Sequence, residues 1–262
     1  MLRTNPNQGI ASQWRHVALH EAFDSALPTP GWYAEPGVSV HVALFDLHDW
    51  WPWLPDAYAL LDPAELRRVH GRRIVMDRDQ LALGYSLHRM LLAKVLERDA
   101  ADVLIGRNAQ GCPRVPGSTL STSLGRADHC LAIAVATEGP IGVDIELTEH
   151  APVVPEVADH TCHPSDTGIA ALPGLARSEA LLALWVRKEA YLKALGTAMQ
   201  RETQTFTAED GALVALPWGG RVRVQMLDAG HRWTVALASP PQLPVVSAQL
   251  RPFTAALGSE HY

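Results

Sequence analysis

Cysteine and long apolar runs are scarce in this chain. Its 262 residues include three cysteines, Cys112, Cys130 and Cys162, and no C-x-x-C pair. An odd, scattered set of thiols supports neither a disulfide framework nor a zinc ribbon, so we expect reduced thiols. No stretch approaches the run of about 20 apolar residues that a membrane helix needs, and residues 1–20 lack the apolar core of a signal peptide. We therefore expect a cytoplasmic protein without a membrane partner.

Positive charge is also in short supply. The 22 Lys and Arg residues face 28 Asp and Glu residues, which gives a net charge of -6. Broad nucleic-acid binding requires a basic surface that releases counterions, so we expect no nucleic-acid partner. The densest basic cluster follows the helix start at Asp62-Pro63 and consists of Arg67, Arg68, His70, Arg72 and Arg73. It is either a solvated helix face or a site for an anionic ligand, and the sequence leaves both open.

Hydrophobic residues make up 47% of the chain, which is enough for a full core. Apolar and alternating runs predict strands at residues 38–45, 131–136, 141–147, 221–226 and 233–238. Helical spacing predicts helices from Asp62, over residues 77–96, and over residues 179–195 with a stop at Gly196. We expect residues 1–37 to form a loosely held extension and the Pro-rich tail from Ser239 to be peripheral. Strand and helix elements recur in both halves, which permits two similar subdomains meeting near residue 138.

Two short stretches carry the candidate chemistry. Asp144 and Glu146 lie two residues apart on a predicted strand and leave the same face, where Gly142 leaves open space for a bulky group. Glu189 and Lys193 lie one turn apart on a predicted helix. Each pair alone is explained by a polar strand face or an exposed ion pair. Together, three carboxylates and an ammonium group suit a divalent cation and a phosphate ester, because Mg²⁺ prefers oxygen ligands.

Three other patterns give weaker signals. The run from Trp50 to Trp53 is best explained as aromatic cover over the core. The hydroxyl row of residues 118–123 could bind phosphate oxygens, although turns are rich in Ser and Thr for conformational reasons. A further group could suggest a metal site, but its spacing fits no standard zinc pattern and we assign it structural or surface roles: Asp159, His160, Cys162 and His163.

The two acidic stretches resemble a known family. The run from Trp185 to Gly196 resembles the W-x-x-K-E-A-x-x-K-x-x-G signature of the 4'-phosphopantetheinyl transferases, specifically the surfactin-type branch. Residues 141–146 resemble that family's (I/V)-G-(I/V)-D-(I/V)-E motif, in the right order and at about the right distance. The resemblance implies an α+β fold of two pseudo-symmetric subdomains, residues 38–137 and 138–262, with the ligand site at their interface. Because one chain holds both halves, we expect a monomer.

The resemblance also implies an activity, that of a holo-[acyl-carrier-protein] synthase type transferase. Such an enzyme moves the 4'-phosphopantetheine arm of coenzyme A to a serine of an apo acyl or peptidyl carrier protein and releases 3',5'-ADP. Asp144, Glu146 and Glu189 would hold Mg²⁺, or Mn²⁺, against the pyrophosphate. Glu189 would also draw the proton from the carrier serine, and Lys193 would neutralise charge on the leaving phosphate. Fatty acid, polyketide and nonribosomal peptide pathways all stay open.

Contacts to coenzyme A are implied for Arg67, Arg73, Arg78, Arg107, Gly111, Ser121, Thr122 and Lys193. Four positions depart from the family: Thr122 replaces a His, Cys112 a Lys, Gln80 an Arg and Ala198 a Gly. Three of these changes remove cationic phosphate contacts, each worth about 1.5 to 3 kcal/mol, which the four arginines would replace. Two alternatives stay open: a coenzyme A or carrier-protein binding module without turnover, and a Mg²⁺-dependent phosphoesterase in which water replaces serine.

Overall fold

The computed structural model describes residues 18–29, 32–34, 40–157, 161–197 and 203–253. Its α-helices are α1 (Leu19–Ala26), α2 (Leu54–Leu60), α3 (Pro63–His70), α4 (Val75–Leu96), α5 (Thr167–Ala170) and α6 (Gly174–Leu195). Its strands are β1 (Val40–Asp46), β2 (Gly106–Arg107), β3 (Pro113–Arg114), β4 (Ser121–Ala127), β5 (Cys130–Ala136), β6 (Gly142–Leu147), β7 (Leu213–Ala215), β8 (Arg221–Leu227), β9 (Trp233–Ser239) and β10 (Val245–Gln249). This mixture of helices and sheets agrees with the α+β expectation.

Two four-stranded sheets form the framework. The first has the order β10-β1-β5-β4 and the second the order β6-β9-β8-β7. Neighbouring strands in both sheets are antiparallel, except that β10 runs parallel to β1. Apolar side chains of both sheets share one core, in which Val42 and Ala134 of the first sheet join Val143 and Ile145 of the second. The apolar side of β6 therefore faces the core between the two sheets.

Part of the predicted N-terminal extension is packed rather than loosely held. Helix α1 buries one apolar side, formed by Leu19, Ala22, Phe23 and Ala26. The ring of Phe23 stacks 6.4 Å from that of Phe45 and lies 6.1 Å from that of Trp50. Trp50 is fully buried, as expected for aromatic cover over the core. Residues 1–17, 30–31 and 35–37 lie outside the described residues, so the boundary at residue 37 stays a prediction.

The Pro-rich tail is not peripheral, which corrects the sequence expectation. Strand β10 pairs with β1, with Val245 opposite Val40, and Leu250 is fully buried. The edge of β1 would otherwise expose unpaired backbone N–H and C=O groups, and β10 satisfies them. Although β10 falls within the predicted subdomain of residues 138–262, its strand pairing places it in the first sheet.

The helix boundaries follow the predicted capping signals. The Asp62 carboxylate accepts hydrogen bonds from the N–H groups of Ala64 (2.7 Å) and Glu65 (2.8 Å), which starts α3. Helix α6 ends at Gly196, whose φ of +67° is the left-handed conformation that favours glycine. Across the described ranges, none of the helices combines the length and the apolar character that crossing a membrane requires.

Candidate active site

The candidate site forms where α6 lies directly against β6. A Cβ atom on Gly142 would overlap the backbone of Ala190 and Ala194, so only glycine permits this approach. We expected the space beside Gly142 to be open for a bulky ligand, and that expectation is wrong because α6 fills it. The close approach has a direct consequence, since α6 carries Glu189 and Lys193 to the strand that carries Asp144.

A second glycine brings β4 to the same point. A Cβ atom on Gly125 would lie 2.9 Å from the Asp144 Cα atom and 3.1 Å from the Lys193 Nζ atom. Nearby, the Ser123 hydroxyl accepts a hydrogen bond of 3.0 Å from the Val143 N–H. Strand β4 therefore runs along β6 at the adjoining edges of the two sheets. The sequence interpretation missed this role of Gly125, because nothing local indicates which strand will pass beside it.

Lys193 forms an ion pair with Asp144. The Nζ atom donates to Asp144 Oδ1 at 2.6 Å and to the Val143 carbonyl at 3.1 Å. Burial raises the pKa of Asp144, which is 8% exposed, and the Lys193 charge opposes that rise. Lys193 therefore lies near the acids, as predicted. Its ion pair is with Asp144 of β6.

Glu189 is a carboxyl group with an unusual proton affinity. It is 6% exposed, and burial together with the charge of Asp144 raises its pKa to about 7, with Lys193 acting in the opposite direction. Near neutral pH the group is therefore divided between its acid and carboxylate forms. Such a group can take a proton from a hydroxyl and return it, which is the property of a general base.

Glu146 lies at the outer end of the site beside His150. The Nδ1 atom of His150 is 3.1 Å from Glu146 Oε2, and its Nε2 atom is 3.3 Å from Asp128 Oδ2. Burial raises the pKa of Glu146, His150 lowers it, and the charge of Asp144 raises it again. The sequence interpretation missed His150 and Asp128, although the spacing of four residues from Glu146 to His150 could have suggested a pair.

The donor chemistry of Asp144, Glu146 and Glu189 suits a hard divalent cation. All three offer carboxylate oxygens, and the charge of Asp144 raises the pKa of both glutamates. A bound cation would relieve that repulsion. The donor atoms do not converge on one point, however: within the described ranges, the triad whose ligand atoms all lie within 4.8 Å is Asp46, His48 and His129.

A cleft of about 260 Å³ opens beside Lys193. Three of the predicted coenzyme A residues line it, namely Ser121, Thr122 and Lys193, together with Arg114 and the exposed Trp218. The Asn108 side chain fixes one wall. It accepts a hydrogen bond from the Cys112 N–H at 2.9 Å and donates one to the Gly196 carbonyl at 3.0 Å.

The predicted arginines do not share this cleft. Arg67 and Arg107 line a separate cleft of about 420 Å³. Burial lowers the pKa of Arg107, whose guanidinium group lies 4.8 Å from the centre of the Tyr85 ring and donates to the Gly111 carbonyl at 2.9 Å. Arg73 is exposed, Arg78 donates to the carbonyl of Arg72, and neither lines these two clefts. Any ligand that contacts all four arginines must extend well beyond Lys193.

Thr122 is bonded into the protein interior. Its hydroxyl donates to the Ala134 carbonyl at 3.0 Å and lies 2.7 Å from Nε2 of His88. A hydroxyl has one hydrogen, so it accepts from His88, whose Nε2 carries the proton. Burial lowers the pKa of His88 to about 3, which keeps the imidazole neutral. Because its one hydrogen is bonded to the Ala134 carbonyl, the Thr122 hydroxyl has no donor left for a phosphate oxygen.

Gln80 replaces an arginine of the family, and the side chain of Arg126 lies beside it. The Gln80 side chain accepts a hydrogen bond of 2.8 Å from Arg126, and Arg126 lies 3.8 Å from Asp77. The sequence interpretation did not single out Arg126. Ala198, Asp159 and His160 lie outside the described residues.

Lys188 precedes Glu189 in the motif but points away from the site. It is fully buried, and its Nζ atom donates to the carbonyls of Thr161 (2.7 Å) and Thr203 (3.0 Å) and to Asp166 Oδ2 (3.2 Å). These bonds tie α6 to the segments before and after it. The motif therefore combines site residues with a structural anchor.

Comparisons with known proteins find similarity over the part of the chain that contains the candidate site. Residues 140–245, which contain Asp144, Glu146, Glu189 and Lys193, match the family model described as the 4'-phosphopantetheinyl transferase superfamily. A Synechocystis sp. protein named "Putative 4'-phosphopantetheinyl transferase slr0495" is 26% identical over 149 residues. That match spans 55% of this chain and 61% of the relative, which is less than two thirds of the relative's length. Both findings support similarity to the 4'-phosphopantetheinyl transferase superfamily.

Proposed function

We propose that this protein transfers the 4'-phosphopantetheine arm of coenzyme A to a serine of an apo acyl or peptidyl carrier protein and releases 3',5'-ADP. The observation that carries this proposal is the ion pair of Lys193, which lines the cleft, with Asp144, together with a Glu189 carboxyl group close enough for both charges to shift its pKa. The family match covers the same residues. Transfer of a phosphate-containing group to a hydroxyl depends mainly on positioning and charge neutralisation, which an ammonium group and buried carboxylates can supply.

The proposal includes the surfactin-type branch, in which two related halves enclose the ligand. Its support is the meeting of β4 and β6, the adjoining edge strands of the two sheets, beside Asp144. We also propose a cytoplasmic monomer. Because Asp144, Glu189 and Lys193 come from one chain, no second copy is needed to bring them together.

A divalent cation, Mg²⁺ or Mn²⁺, is part of the proposed reaction. When bound, it would neutralise charge on the pyrophosphate of coenzyme A. Asp144, Glu146 and Glu189 would hold it, since their carboxylate oxygens are suitable ligands and a cation would offset the charge of Asp144, which raises the pKa of both glutamates. Lys193, which bonds to Asp144 here, would then be able to contact the leaving phosphate.

Glu189 would take the proton from the carrier serine. Its pKa of about 7 lies near neutral pH, where part of the group is a carboxylate able to accept a proton and its proton affinity is high enough to hold that proton. A positioned base of this kind contributes about 10² to 10⁴ in rate. The same burial that raises the pKa of Glu189 would keep water away from the attacking hydroxyl.

The direct test is incubation of the purified protein with coenzyme A, Mg²⁺ and apo carrier proteins, followed by intact mass measurement of each carrier. We expect a mass increase of one phosphopantetheine group, abolished by Asp144→Ala and by Glu189→Gln. His231→Ala is a matched control, because His231 is exposed on the hairpin between β8 and β9. Removal of Mg²⁺ with a chelator should stop the transfer, and added Mg²⁺ should restore it.

Two other outcomes would replace the proposal with a specific alternative. Measurable coenzyme A binding without modification of any carrier would favour a binding module. Release of 3',5'-ADP without carrier modification would favour a phosphoesterase, because water would then be the attacking group. The Asp144→Ala variant separates these cases, since it should abolish hydrolysis but leave contacts made outside the metal site.

A further inference from the structure

We propose that Asp46, His48 and His129 form a second cation site, which binds a divalent transition metal of the zinc type. Each residue offers one ligand atom, and the three atoms lie within 4.8 Å of one another. Two imidazoles and one carboxylate suit Zn²⁺, whereas Mg²⁺ prefers oxygen ligands alone. The site shares no residue with the acids near Asp144, so it does not depend on the proposed transfer.

The backbone already holds the three residues in place. Leu47, which lies between the first two ligands, donates its N–H to the His129 carbonyl at 2.7 Å. Asp46 pairs with Cys130, the residue after His129, in the β1–β5 ladder. The Asp46 carboxylate is itself oriented by a 3.1 Å hydrogen bond from the His48 N–H. Metal binding would therefore require side-chain adjustment rather than movement of the strands.

The two imidazoles lie face to face beside the Asp46 carboxylate. The rings of His48 and His129 stack with their centres 4.3 Å apart and their planes 22° apart. The in-plane lone pairs of nearly parallel rings do not meet at one point, so the exposed His48 ring must turn before two nitrogens can bind one ion at the usual distance of about 2.0 to 2.1 Å. The Nε2 atom of His129 is buried and makes no hydrogen bond. An unsatisfied buried nitrogen is unfavourable, and coordination through it would give the atom a partner.

The competing contacts at this site are weak. Arg232 approaches Asp46 Oδ2 at 3.4 Å, but its side chain is 65% exposed and can turn into water. His48 Nδ1 lies 3.3 Å from Asp46 Oδ1, and the His48 side chain is 60% exposed. The exposed side of His48 provides an entry path for an ion. The coordination positions that the protein leaves free would be taken by water.

A bound ion would link the end of β1 to the turn between β4 and β5. That turn also contains Asp128, whose carboxylate lies 3.3 Å from His150, the neighbour of Glu146. A ligand that binds only the folded chain raises its stability by mass action. Zinc should therefore raise the melting temperature, and the rise should require His48.

The test is calorimetric titration of Zn²⁺ into the full chain after treatment with a chelator, in excess Mg²⁺ to occupy the carboxylate set. We expect one equivalent of Zn²⁺ per chain. His48→Ala and His129→Ala should each weaken binding by at least about 10- to 100-fold, because loss of an outer-shell partner alone has that effect. Co²⁺ used in place of Zn²⁺ should give a visible absorption band that disappears in the same variants.

Two controls separate this site from other zinc-binding groups. His231→Ala removes an exposed histidine elsewhere, and Asp144→Asn alters the carboxylate set; both should bind Zn²⁺ like the wild type. Because His48 is exposed, its variant should fold normally, which circular dichroism can verify. The proposal is overturned if the wild type binds no Zn²⁺, if His48→Ala binds it equally, or if only Asp144→Asn loses it.

Discussion

Two lysines of α6 face opposite environments. Lys188 is fully buried and donates to two backbone carbonyls and to Asp166. Lys193 has a side chain that is 23% exposed, lies in the wall of a cleft and bonds to Asp144. Their positions in one motif do not distinguish them. The surroundings do, since a lysine whose donors are all used by the protein is an anchor, whereas one at a cleft can serve a ligand.

The two faces of the helix are also built differently. On the first face, the long Lys188 side chain donates hydrogen bonds to Thr161, which precedes α6, and to Thr203, which follows it. On the Lys193 face, the backbone of α6 meets β6 at Gly142 with no side chain between them. The packing of the first face depends on hydrogen bonds that satisfy buried polar groups. The packing of the second depends on the close approach of the α6 backbone to β6. Substitutions on each face should therefore have different effects.

The largest expected effect is the loss of stability in Lys188→Met. The substitution removes the ammonium group from two buried carbonyls and from Asp166, which keeps its hydrogen bond from the His163 N–H, and removal of one partner of a buried pair costs about 3 to 5 kcal/mol. Urea unfolding should show a lower free energy of unfolding with an unchanged slope. A loss below about 1 kcal/mol would show that Lys188 is not an anchor.

Lys193→Met should reduce transfer more than stability. Removing one charged donor from a transition-state site lowers kcat by about 10² to 10³. Intact mass measured over time with a carrier protein gives the rate, and urea unfolding gives the stability. We expect a smaller stability loss than for Lys188→Met, because the Lys193 ammonium group is partly solvated. Unchanged transfer would remove Lys193 from the proposed mechanism.

Gly142→Ala should lower both stability and transfer, because the added Cβ atom would overlap backbone atoms of α6. The added methyl group would push α6 from β6, and such overpacking costs about 1 to 3 kcal/mol. Glu189 and Lys193 would move with the helix, and a misplacement of about 1 Å can reduce the rate about 100-fold.

Gly168→Ala is the matched control for that substitution. Gly168 lies in the short helix α5, and a Cβ atom there would meet nothing within 4 Å. The free energy of unfolding should rise by no more than about 1 kcal/mol, because alanine favours a helix more than glycine does. Equal effects of the two alanines would show that the contact at Gly142 is not tight.

Local patterns predicted much of the fold. Alternation and apolar runs located β1, β5, β6, β8 and β9 to within about two residues, because a strand's buried face is visible in its own sequence. Caps located the start of α3 and the end of α6. The start of α6 at Gly174 was missed, since its first turn is mostly exposed and shows no apolar face.

Longer-range features escaped prediction. The pairing of β10 with β1 joins segments about 200 residues apart, and its exposed positions give a weak apolar pattern. The packing of α1 against Phe45 and Trp50 was also missed. Arg67 and Arg107 were expected to act with Lys193 but line another cleft. Which cations share a cleft depends on the approach of elements that are distant in the chain.

The sequence by itself determined which residue types could act together. The spacing of Asp144 and Glu146 on a strand, and of Glu189 and Lys193 on a helix, follows from the periods of those elements. Only the tertiary structure decided that Lys193 bonds to Asp144, that Lys188 is an anchor, and that α6 fills the space beside Gly142. The physical reason is that periodicity orients side chains within an element, whereas the contact between β6 and α6 is set by packing.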